Sequence, residues 1–140
     1  MLDAFIALTK QKVPRGLPRL ADMQVVQSHI AHREADLGSA RVWLMESLKD
    51  IYARADDKDP IGLDDRLRVR LTCAHAIKAA IETSDYTYRA AGVSGIFKGT
   101  AWERRFRDMH TLSQQIQARE SHFETVGRIM LNGDPDGTFL

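Results

Sequence analysis

One short and three long segments carry apolar residues at spacings of three and four, and three stretches bearing proline or glycine separate the four segments. The interruptions are Val13-Pro14-Arg15-Gly16-Leu17-Pro18, then Asp56-Asp57-Lys58-Asp59-Pro60-Ile61-Gly62, then Gly92-Val93-Ser94-Gly95-Ile96-Phe97-Lys98-Gly99. An apolar stripe at that spacing lies along one face of an α-helix and must be buried against another helix. The expected fold is therefore all-α, an antiparallel up-and-down four-helix bundle of one short and three long helices in a single domain over residues 1–140. The short first segment, Leu2 to Gln11, opens without a capping residue and reads as the tail of a longer helix. The second, Leu20 to Arg54, carries Val26, Ile30, Leu37, Ala40, Leu44, Leu48 and Ile51 on one stripe. Gly38 lies in its middle, where close approach of a neighbour or a local bend would account for it. The third, Asp64 to Ala91, presents Leu67, Leu71, Ala74, Ile77, Ile81 and Tyr88. Its first turn holds Asp64 and Asp65, where the helix dipole favours negative charge.

The fourth segment, Ala101 to Leu131, has the most complete signals. Thr100 and Glu103 form a T-x-x-E pattern that predicts a capping box, and Asn132-Gly133 followed by Pro135 predicts the stop. Trp102, Phe106, Met109, Ser113, Ile116, Glu120, Phe123, Gly127 and Met130 repeat at 4-3 spacing, which predicts one continuous helix with a coiled-coil-like seam. Ser113 and Glu120 are its polar members.

Several function classes are disfavoured. Basic and acidic residues number 20 and 19, for a net charge of +1, and alternate along the chain. That pattern suits solvated helix faces rather than a nucleic-acid surface. No apolar run is long enough for a membrane span, and the opening residues are too polar for a signal peptide. The single cysteine, Cys73, can form no internal disulfide and points to a reducing compartment, with the cytoplasm expected. No glutamate has a histidine three residues on, so the paired Glu-x-x-His ligands of a di-iron bundle are missing. His29 and His32 share a helix face but lack a third ligand nearby in sequence. Cys73 and His75 are two apart on a helix and diverge, which leaves a thiol nucleophile unsupported. No metal is expected, and no complete catalytic set is present.

One stretch carries a positive signal. Ser94 and Gly95 lie on a glycine-bearing turn between two long helices, followed by Gly99, a helix start at Thr100, and Arg104, Arg105 and Arg107. Open backbone N–H groups, a positive dipole end and arginines together suit a phosphate or another anion.

The stretch also resembles the carboxy-terminal helical domain of the acyl-CoA dehydrogenase superfamily, nearest the flavin-dependent monooxygenases of the two-component type. The resemblance rests on Tyr88-Arg89-Ala90-Ala91-Gly92, on Arg104-Arg105-Phe106-Arg107-Asp108-Met109-His110, on Gly127-Arg128-Ile129-Met130-Leu131, and on Asp134-Pro135. It extends more loosely through Lys12-Val13-Pro14-Arg15 and Asp64-Asp65-Arg66-Leu67-Arg68. It implies a bundle that packs against a flavin (FAD or FMN) and builds a dimer or tetramer. The flavin-facing residues would be Gly92, Ser94, Gly95, Arg104, Arg107, Asp108 and His110. It further implies that an amino-terminal helical domain and a central β domain, on a longer chain or a partner chain, supply much of the flavin and substrate pocket, so the isolated chain is expected to bind no flavin by itself.

Two departures separate this chain from such enzymes. Acyl-CoA dehydrogenases often carry a catalytic glutamate on the turn after the Arg-Asp pair, where this chain has Gln115-Ile116-Gln117-Ala118. Many monooxygenases carry a second histidine five residues after the first, where this chain has Gln115, an amide that cannot serve as a general base. The alternative expectation is a helical oligomerisation or interaction module that has lost the chemistry.

Overall fold

The computed structural model describes residues 1–54, 61–97 and 99–134. Asp56 to Pro60, Lys98 and Pro135, which the sequence marks as loop or stop residues, lie outside the described residues. The order is α1 (Leu2–Thr9), a 3-10 turn (Leu20–Asp22), α2 (Gln24–Ala53), α3 (Leu63–Ala91), a 3-10 turn (Gly92–Gly95), α4 (Ala101–Leu112), a 3-10 turn (Ile116–Ala118) and α5 (Ser121–Met130). The all-α bundle expected from the stripes is present, and no strand occurs among the described residues.

The antiparallel pair α2 and α3 forms the frame. Partners descend along one helix as they ascend the other. Arg33 pairs with Glu82 at 2.8 Å, Asp50 with Arg68 at 3.0 Å, and Arg54 with Asp65 at 2.7 Å. Trp43 meets the His75 ring edge-on at 5.8 Å, and His29 stacks on Tyr86 at 4.5 Å. α4 runs antiparallel to α3 in turn, with Phe106 stacked on Tyr88 at 4.1 Å. α1 docks at the carboxy-terminal end of α3. There Phe5, Leu20, Val26, Ala91 and Trp102 make the buried core, with Tyr86 and Tyr88 against it.

Five local expectations are corrected. The second helix begins at Gln24 rather than Leu20, because Met23 is extended (φ −87°, ψ 118°) and separates it from the preceding 3-10 turn. Gly38 has nothing within 4 Å of the position a Cβ would take, so close approach of a neighbour is not what places it there. The buried stripe of α3 is more polar than the apolar face anticipated, with Thr72, Thr83, Ser84 and Thr87 beside Leu67, Ala74 and Ala79. The threonine hydroxyls are satisfied within the helix: Thr72 donates to the Val69 carbonyl at 3.0 Å, and Thr83 to the Ala79 carbonyl and Thr87 to the Thr83 carbonyl, both at 2.8 Å, whereas Ser84 donates to the Met1 sulfur at 3.3 Å. A hydroxyl bonded back to its own helix behaves as a small side chain and lets helices approach closely.

The fourth correction is the largest. The helix anticipated from Ala101 to Leu131 is two helices, broken at residues 113–120. Ser113 donates its hydroxyl to the His110 carbonyl at 2.6 Å, and Gln115 and Arg119 are both extended. Buried His122 reaches back to the Ile116 carbonyl at 2.5 Å. Of the polar seam residues, Ser113 thus sits in the break, and Glu120 is exposed, 3.9 Å from Lys78. The stop is as anticipated: Asn132 takes a left-handed conformation (φ 62°) and Gly133 N–H bonds the Arg128 carbonyl at 2.9 Å.

The helix start at Thr100 stands, but its capping box does not form. The Thr100 hydroxyl donates to the Phe97 carbonyl at 2.9 Å rather than accepting from the first turn, and Glu103 pairs with Arg107 at 3.6 Å. A capping threonine normally contributes about 1 kcal/mol. Here Thr100→Ala is expected to cost less, below about 0.5 kcal/mol, by urea unfolding followed at the helical circular dichroism band. A loss near the full capping value contradicts the hydroxyl placement.

Candidate functional site

α3 ends at Ala91, and Gly92 turns the chain out of the helix with φ 53° and ψ −136°. Few residues other than glycine adopt that conformation. The turn that follows is gripped from a distance in sequence. The Lys12 ammonium donates to the Ala91 carbonyl and, at 3.1 Å, to the Ser94 hydroxyl oxygen. A lysine at a helix carboxy-terminus satisfies an orphan carbonyl and complements the negative dipole end. Lys12 is itself held by backbone bonds to Leu8 at 2.9 Å and from Leu20 at 3.0 Å. Gly95 is buried against Tyr88: a Cβ there would lie 3.3 Å from the Tyr88 carbonyl oxygen.

Beyond the turn, Gly99 (φ 92°) and Thr100 lead into α4. Gly99, Thr100, Arg104, Arg107 and Asp108 line one open surface depression of about 700 Å³. The arginines are engaged only by spaced pairs along their own helix, Arg104 with Asp108 and Arg107 with Glu103, each at 3.6 Å. Their side chains are 80% and 67% exposed, so these pairs are screened by water and leave the guanidinium groups able to turn to an anion.

His110 faces the other way. Its Nε2–H donates to the Asp85 carboxylate on α3 at 2.8 Å, and its ring packs on Phe106 at 4.4 Å. The seven residues singled out in the sequence therefore fall into three groups. Gly92, Ser94 and Gly95 form the Lys12-bound turn, Arg104, Arg107 and Asp108 line the depression at the α4 start, and His110, 44% exposed, ties α4 to α3 through Asp85.

Two residues at this end of the bundle escaped the sequence reading. Asp85 left a trace, because it sits between Ile81 and Tyr88 at 4-3 spacing, a carboxylate inside an apolar stripe. Lys12 enters only at the head of the looser Lys12-Val13-Pro14-Arg15 resemblance, with no role attached, since its partners lie 79 and 82 positions away. Elsewhere, His29 and His32 are both exposed, and among the described residues no group of three or more His, Cys, Asp or Glu side chains is placed to hold a metal. Cys73 is half-buried, and burial pushes its thiol up, away from the reactive thiolate. No helix among the described residues is long and apolar enough to cross a membrane.

Comparison with known proteins matches residues 1–120 to the sequence model of a family described as acyl-CoA dehydrogenase, C-terminal domain. The chain belongs to this family. The matched span takes in the α2–α3 frame, the glycine turn and all of α4, and it ends at Glu120, just before α5. Among curated proteins, this acyl-CoA dehydrogenase C-terminal domain is similar to indole-3-acetate monooxygenase of Pseudomonas putida. The two are 27% identical over 120 residues, which cover 86% of this chain and 31% of that protein. The chain thus spans about a third of the length of the curated relative it matches.

Proposed function

We propose that this chain serves as the carboxy-terminal helical part of a flavin-dependent oxidoreductase of the acyl-CoA dehydrogenase type, on the monooxygenase side of the superfamily. Its role is to contact flavin phosphates and build an oligomer interface, without a complete active site. The observation that carries the reading is the family match over residues 1–120, which spans both the glycine turn and the arginine-bearing start of α4. The relative's name, a monooxygenase, favours that branch over dehydrogenation.

The donors present fit the phosphate end of a flavin. Arg104 and Arg107 flank the open start of α4, and the Lys12 ammonium adds positive charge at the glycine turn. Nothing equivalent fits the ring. The turn that replaces the usual base carries Gln115, and His110 is committed to Asp85. A bound flavin would supply the redox chemistry. This chain's residues would hold its anionic end and shape one wall of the site.

The test pairs this chain with a polypeptide carrying the part of the P. putida relative outside the matched segment. Flavin absorbance after gel filtration should be retained by the mixture and not by this chain alone, and Arg104→Ala with Arg107→Ala should reduce it at least about tenfold, in line with the loss of charge-assisted phosphate contacts. If the other polypeptide retains flavin equally well unaided, the proposal fails.

The oligomer role, or the alternative of a purely structural module, draws on a second observation. Met45, Leu48 and Tyr52 are 46%, 42% and 85% exposed along one side of α2, an apolar strip with no cover in the protomer. A homodimer or tetramer through the helix faces follows. A stable monomer at micromolar concentration in sedimentation equilibrium would count against it.

A further inference from the structure

A cavity of about 490 Å³ opens at the amino-terminal end of α3, between α2 and the break that separates α4 from α5. It stands apart from the flavin-phosphate reading. Arg70 and Ala91 are 21 residues apart on α3, so the cavity and the glycine turn are separated by roughly 30 Å at the rise of an α-helix.

Most of its wall is apolar: Leu48 and Ile51 from α2, Val69 from α3 and Ile116 from the break. Its polar lining residues are Asp65, Arg66, Arg70, Gln117 and His122, and the last of these meets Arg70. His122 is 8% exposed, and its Nε2–H donates to the Ile116 carbonyl at 2.5 Å. Its Nδ1 faces an Arg70 guanidinium nitrogen at 3.4 Å and accepts from it in the tautomer that carries the proton on Nε2. Arg70 thus spends one of its donors on an imidazole nitrogen, and no carboxylate pairs with it among the described residues. The cavity's own carboxylate, Asp65, is engaged elsewhere, by Arg54 at 2.7 Å and Arg68 at 3.5 Å, and the Arg54 bond holds it below the usual carboxylate range.

Arg66, exposed, also lines the cavity, so a largely apolar cavity of this size holds one half-buried guanidinium, Arg70, with no carboxylate partner among the described residues and a second at its exposed edge, the make-up of a small-molecule site. A guanidinium fork binds a carboxylate through two parallel hydrogen bonds, and it does so most strongly where water is scarce. We propose that this cavity binds a small apolar carboxylate, its aryl or branched alkyl body against Leu48, Ile51, Val69 and Ile116 and its anion on Arg70.

The chain's single cysteine, Cys73, also lines the cavity and reports its occupancy. The probe is naphthalene-1-acetate, set against naphthalene-1-acetamide, which keeps the shape and loses the charge. Calorimetric titration of the full chain is expected to give a Kd below about 1 mM for the acid and at least about tenfold weaker binding of the amide. The acid should also slow alkylation of Cys73 by a neutral maleimide at least about fivefold, and Arg70→Gln should abolish both effects while Arg70→Lys keeps part of them. Equal binding of acid and amide, absence of heat at millimolar acid, binding without protection of Cys73, or undiminished acid binding in a folded Arg70→Gln chain would each overturn the proposal. The acid–amide comparison uses the unaltered chain and stands whether or not the variants fold. Loss of flavin retention in the mixing experiment leaves this outcome untouched.

Discussion

Phe5→Ala is expected to lower the unfolding free energy by about 3–5 kcal/mol, the usual range for removing a fully buried phenylalanine. Phe5 is 0% exposed and lies at the meeting point of three elements. Its ring presents an edge to Tyr86 at 5.6 Å and to Trp102 at 6.3 Å, geometries that add to the burial itself. A domain of this size has about 5–15 kcal/mol in all, so the substitution removes a large share of it. Urea denaturation followed by circular dichroism measures the loss. Trp102, 9% exposed at the start of α4, should become wetter and its emission should move to the red. A loss below about 1 kcal/mol, with unshifted emission, means that α1 is not docked in solution.

Gly92→Val is the second large effect, expected at about 2–3 kcal/mol because a β-branched residue cannot take φ 53° with ψ −136° without strain. The new side chain also enters the space beside the Lys12 ammonium, 3.6 Å from where a Cβ would stand. The turn holding Ser94 should loosen, and flavin retention in the mixing experiment should fall with it. Gly38→Ala provides the contrast. That glycine is inside α2 with nothing within 4 Å, so alanine should stabilise by about 0.5–1 kcal/mol. If Gly92→Val matches the parent chain in thermal unfolding, the turn does not hold the conformation described.

Residues that act through their neighbours in sequence were legible, and residues that act through distant ones were not. The helix stop at Asn132-Gly133 and the start at Thr100 could be read because each depends on a few adjacent groups. The side-chain half of the capping box could not, because the Thr100 hydroxyl had two local acceptors or donors to choose from and took the Phe97 carbonyl. Periodicity predicts an apolar α3 face because it scores residue type. It cannot see that a threonine bonded to the carbonyl four residues back packs like a small apolar side chain.

The candidate site divides along the same line. Gly92, Ser94, Gly95, Arg104 and Arg107 stood out by spacing and type. Lys12, Asp85, Arg70 and His122 did not, apart from the single irregularity at Asp85. Each acts on a partner at least six positions away, and most act across elements.

Amphipathic periodicity alone was enough to dictate that helices form and pack as a bundle, since a 3.6-residue stripe has no other stable burial. The 4-3 seam from Trp102 to Met130 was equally regular, yet the chain breaks at residues 113–120 without a proline or glycine. That break is a tertiary decision. The break turns the Ile116 segment onto the side of α3 and lets His122 reach both the Ile116 carbonyl and Arg70, contacts that a continuous helix would not bring together. Local periodicity carries no information about those contacts, and the cavity beside Arg70 exists because of the break.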